Sequence, residues 1–102
     1  MTMTDATPRL LPWSSLDGKP CFVLGDGTGF VSRMADDIEE AQLLLADGLI
    51  DDARRLLAGR NWTSGELQLL TVELTESLTE VRRVAKSRGA RLWAASRADR
   101  PN

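Results

Sequence analysis

The chain of 102 residues is the size of one ordinary domain, and a hydrophobic fraction of 42% is enough for a modest core. A net charge of −2 gives no global pull toward nucleic acid or an anionic membrane. The absence of histidine excludes Ser-His-Asp and Cys-His nucleophile systems and every His-containing zinc site, so the expectation is a non-enzyme with no cofactor and no metal. No apolar run approaches the roughly 18 residues that span a bilayer. The opening MTMTDATPRLLPW has no apolar segment behind a basic one, and a lone Cys21 forms no internal disulfide. The expected location is the cytoplasm.

Residues 1–13 are rich in Thr and Pro without periodicity and read as a flexible arm, with Leu10, Leu11 and Trp13 able to pin its end to the body. A single domain is expected over 14–92, followed by a flexible tail at 93–102. Residues 20–33 read as a β-hairpin: Cys21–Leu24 and Phe30–Ser32 are β-prone, and Asp26-Gly27 is a favoured turn pair between them. Two strands alone are marginal in water, so the hairpin must pack on something.

From 34 to 59 the pattern becomes helical. Ile38, Ala41, Leu45, Leu49, Ala53 and Leu56 share one face, and Leu43, Ala46, Ile50 and Leu57 widen it. Gly48 offers a break, but the apolar phase runs through it, which predicts a continuous helix. The second helix, 63–88, opens on a capping box, Thr63 with Glu66. Its predicted seam is Leu67, Leu70, Leu74, Leu78, Val81 and Ala85, and Gly89 is its predicted cap.

Charge predicts how the helices pair. Residues 34–52 hold seven acidic and no basic residues, whereas 81–102 hold seven basic residues against Asp99. An antiparallel hairpin turning at about 60–63 sets the acidic start of the first helix beside the basic end of the second. Single surface pairs contribute little, but together they disfavour the parallel alternative.

Several chemical motifs dissolve on inspection. Gly25–Gly29 lacks the Gly-Lys-Ser/Thr ending of a phosphate-binding Walker loop, so its glycines read as turn formers. Asp36, Glu40, Asp47 and Asp51 share a helix face without the histidines or facing glutamates of a di-metal bundle, and read as a solvated face. Arg82, Arg83, Lys86, Arg88 and Arg91 are the nucleic-acid candidates, but no recognition-motif spacing accompanies them. Pairing with the acidic helix accounts for most of that cluster.

The apolar surplus is the more telling signal. Leu44 points away from both predicted contacts of the first helix, and Leu69 and Val72 sit on the back of the second. Trp93, past the predicted cap, is a further contact candidate. Self-association into a four-helix arrangement hides such residues economically.

The run Trp13-Ser-Ser-Leu-Asp-Gly-Lys-Pro-Cys-Phe-Val-Leu-Gly-Asp-Gly-Thr-Gly-Phe-Val-Ser-Arg-Met-Ala-Asp36, with Ser87-Arg-Gly-Ala-Arg-Leu92, resembles a group of small uncharacterised proteins from high-GC actinobacteria. The resemblance implies a bacterial cytoplasmic protein with a regulatory role and carries over no site residues. The expectation is therefore a mostly α (α+β) fold, its β-hairpin packed on an antiparallel two-helix hairpin that dimerises. Its expected function is non-catalytic interaction with itself or another protein. The alternative is an accessory nucleic-acid binder using the basic end of the second helix.

Overall fold

The computed structural model describes residues 8–98 except position 26. The chain is mostly helical, with an antiparallel β-ribbon packed on a two-helix hairpin. Strand β1 is Arg9–Ser14, strand β2 is Pro20–Val23, helix α1 is Phe30–Gly59 and helix α2 is Ser64–Ala98. No helix among the described residues is long and apolar enough to cross a membrane.

The ribbon lies earlier than the sequence predicts. Its first strand falls in the segment expected to be a flexible arm, and the expected second strand, Phe30–Ser32, is the first turn of α1. Residues 1–7 of that arm lie outside the described residues. Thr and Pro richness without periodicity gives the arm reading, yet Pro12 is accommodated in β1 at an irregularity of the ladder, where its missing donor is tolerated. The register pairs Arg9 with Val23, Leu10 with Phe22 and Ser14 with Pro20, and is irregular between Leu10 and Ser14, where Pro12 sits. Phe30-Val-Ser is β-prone, but β propensity yields to context. The Gly29 carbonyl accepts the first helical bond from the Arg33 amide at 3.0 Å. The glycine segment thus joins strand to helix, and Gly27 takes a φ of 88° there; Asp26 of the expected turn lies outside the described residues.

The turn that does close the ribbon is Ser15–Lys19. The Gly18 amide donates to the Ser15 carbonyl at 2.9 Å, with Gly18 at a φ of 81°. The Ser15 hydroxyl also accepts from the Lys19 amide at 3.1 Å and itself donates to the Asp17 carboxylate. That last bond, before all others, holds the Asp17 carboxyl below its ordinary pKa. Because the folded value is the lower one, ionised Asp17 favours the turn above the unfolded pKa. The benefit fades as pH falls through the folded value. An NMR titration of Asp17 should therefore move to higher pH in Ser15→Ala.

Helix α1 runs unbroken through Gly48 and ends at Arg60, which adopts the left-handed conformation (φ 58°). Three residues later the capping box forms as the sequence predicts. The Glu66 amide donates to Thr63 Oγ1 at 3.1 Å, and the Thr63 amide donates to Glu66 Oε1 at 2.9 Å. Thr63→Ala should cost about 1 kcal/mol of stability in urea unfolding. Gly89 is not the cap of α2, and residues 93–98 of the expected tail are helical. Ala90, Ala94 and Ala95 are strong helix formers that offset the roughly 1 kcal/mol cost of an interior glycine. The remainder of that tail, 99–102, lies outside the described residues.

The helices are also rotated from the expected pairing. The inward stripe of α1 is Ala35, Glu39, Gln42, Ala46, Leu49, Ala53 and Leu56, at alternating spacings of four and three. That of α2 is Leu67, Leu70, Leu74, Ser77, Val81 and Val84. Ala41 and Leu45 of the predicted first seam, and Leu78 and Ala85 of the second, are exposed instead. Rotation toward the ribbon brings Glu39, Gln42 and Ser87 to where β1 and the arginines engage them. Among the described residues the buried hydrophobic side chains are Leu11, Ala35, Leu49 and Val84, against six buried polar or charged ones. A core this lean leans on polar specificity.

Candidate functional site

Two features stand out: a buried charge lock where β1, α1 and α2 meet, and exposed apolar helical positions that no described residue covers. The lock centres on Glu39, 1% exposed. Its Oε1 lies 3.4 Å from Arg9 Nη2, 3.6 Å from Arg88 Nε and 3.6 Å from Arg91 Nη2. Neither carboxylate oxygen has a hydrogen-bond partner, so charge rather than directed bonding holds it. Arg9 reaches further, with Nη1 donating to the Ser32 carbonyl at 2.9 Å and Nη2 bonding Asp36 at 2.7 Å. The Gln42 amide donates to the Pro12 carbonyl at 3.1 Å, and the Ser87 hydroxyl to the Leu10 carbonyl at 2.9 Å. Pairing of Glu39 near the start of α1 with Arg88 and Arg91 near the end of α2 fits the antiparallel charge pattern.

This arrangement splits the basic cluster. Arg88 and Arg91 turn to Glu39. Arg82, Arg83 and Lys86 instead line a cleft between α2 and the ribbon, where Arg83 Nη2 lies 3.3 Å from the Ser14 hydroxyl. Two of the five nucleic-acid candidates thus turn to Glu39 and three to the cleft. Among the described residues, no group of three or more acidic or thiol side chains is placed to hold a metal ion.

The uncovered face follows from where the ribbon sits. β1 touches α1 through Ser32, Asp36, Glu39 and Gln42, and α2 through Arg83 and Ser87. On the opposite edge of each inward stripe, Met34, Ile38, Ala41 and Leu45 line α1. Leu78, Ala85 and Leu92, seven residues apart, line α2. Leu45, Leu78 and Leu92 are 56%, 69% and 72% exposed. The molecule is only 19 Å through its thinnest dimension, about one helix diameter plus the ribbon, so among the described residues no second layer shields these positions.

The sequence-predicted contact residues are all exposed, but the structure does not unite them. By helical phase, Leu44 stands on the rim of the ribbon-free face. Leu69 and Val72 lie on the ribbon side beyond the ribbon's reach, where Ile50 and Leu57 are also exposed. Trp93, 62% exposed, carries the Arg97 guanidinium over its ring, 4.8 Å from the ring centre. Sequence reasoning missed Met34 and Leu92 as contact candidates and placed Leu45 and Leu78 in the core. The seven-residue recurrence of Leu78, Ala85 and Leu92 beside an independent four-three stripe was the available signal. Compared with protein-family models, curated proteins and solved structures, the chain has no match.

Proposed function

We propose that this chain is a small non-catalytic interaction protein that works as a homodimer, two copies packing their ribbon-free helical faces into a four-helix arrangement. The observation that carries this reading is the set of large apolar side chains left exposed on the two helices away from the ribbon's contacts, Met34 and Leu45 on α1 and Leu78 and Leu92 on α2. Charge chooses a second copy as its occupant. A two-fold axis parallel to the helices lays α1 on the partner's α2, which puts the acidic first half of one beside the basic second half of the other. Every neighbouring helix pair is then antiparallel. The ribbons stay on the outer surfaces, free to meet a further protein. The resemblance to actinobacterial proteins supports a regulatory role in a bacterial cytoplasm. Light scattering on a sizing column tests the dimer: twice the chain mass of 11.2 kDa at micromolar concentration supports it, and a stable monomer rejects it.

A further inference from the structure

We propose that the cleft between the ribbon and the outer surface of α2 binds a phosphate monoester. The cleft encloses about 170 Å³, and Arg82, Arg83 and Lys86 all contribute to its wall. Water occupies about 30 Å³ per molecule in the liquid, so the space holds a phosphate group with part of its carbon skeleton. Like charges three and four residues apart on a helix repel. Among the described residues, no carboxylate lies within 4.0 Å of any of the three cations. Two carboxylates that flank the site in sequence are engaged elsewhere, Glu80 with Gln42 at 3.4 Å and Asp17 with Ser15 and Lys19.

The chemistry of the walls selects the ligand. Two guanidinium groups present forked donors suited to phosphate oxygens, and Lys86 adds a point charge. Leu10 and Pro20 supply an apolar side on the ribbon, which suits the carbon part of an ester rather than a free anion. A nucleic-acid backbone fits less well. The cations converge on one cavity, the next two along the helix are committed to Glu39, and Trp93, the aromatic near them, already carries Arg97 on its ring.

The test is an amide-resolved NMR titration of the full chain with inorganic phosphate and with glycerol 3-phosphate, against sodium chloride at matched ionic strength. Saturable shifts at Gly18, Arg83 and Lys86 are expected, with the ester binding at least threefold more tightly. Arg82→Ala/Lys86→Ala should weaken ester binding at least tenfold; both positions are exposed, so the helical signal should stay unchanged. Shifts reproduced by chloride, or a double variant that binds like the parent, would overturn the site. Equal affinity for the two phosphates would overturn the assignment to an ester. Salt-dependent capture of a short oligonucleotide without any response to either phosphate would replace it with nucleic-acid binding.

Discussion

Glu39→Ala is expected to lower stability by about 3–5 kcal/mol, the usual consequence of deleting one member of a buried charge group. The loss arises less from the vanished carboxylate than from what it leaves. Arg9, itself buried, would keep Asp36 but lose the central charge that also faces Arg88 and Arg91. A domain of this size has about 5–15 kcal/mol in hand, so the variant should be partly unfolded at elevated temperature. Arg88→Ala should cost less, about 1 kcal/mol or below, because that side chain is 46% exposed and water takes over its solvation. Urea unfolding followed by far-UV circular dichroism measures both. Protein concentration must be held fixed, since the proposed dimer would make stability depend on it. A loss under 1 kcal/mol for Glu39→Ala would show that the lock is energetically idle.

Leu78→Glu is expected to weaken the dimer by about a hundredfold or more while leaving a folded monomer. A hundredfold corresponds to about 2.7 kcal/mol, a modest demand for a carboxylate forced into an apolar contact. In the isolated chain Leu78 is already 69% exposed, so the same change should shift monomer stability by only about 0.5 kcal/mol. Leu45→Glu should behave alike, being 56% exposed on the facing edge. Leu69→Glu and Val72→Glu provide the contrast, since both lie on the other side of the helical layer. Light scattering across a dilution series separates the cases. Dissociation by the Leu69 and Val72 changes, with none from Leu45 and Leu78, would move the interface to the patch beyond the ribbon.

The helical hairpin was legible in the sequence because its signals are local. Thr63 and Glu66 announce a helix start through bonds spanning three residues, and the apolar phase across Gly48 needs no tertiary information. Strand β1 was not legible, since Arg9-Leu-Leu-Pro-Trp shows no alternation and carries a proline, so the Asp17-Gly18 turn pair after it had no strand-like run on its N-terminal side. Glu39 was hidden for a related reason. Set among Asp36, Asp37 and Glu40, it looks like one more solvated acid, and only the approach of Arg9, Arg88 and Arg91 makes it a core residue. The contact surface was half legible. An apolar surplus can be counted, but whether Leu45 and Leu78 face the sister helix or open solvent depends on a small rotation that the ribbon imposes.

The ribbon's attachment has an evolutionary reading. Each of three tethers runs from a side-chain donor to a main-chain carbonyl: Arg9 to Ser32, Gln42 to Pro12, and Ser87 to Leu10. A carbonyl is supplied by any amino acid, whereas the donor is not. Drift should therefore be asymmetric across each tether. Positions 9, 42 and 87 should hold their residue type among descendants of this chain, and position 10 should change freely among residues that keep the strand. Selection would then act on one end of each of these three bonds, so paired substitution, the usual trace of two side chains in contact, would be missing across them.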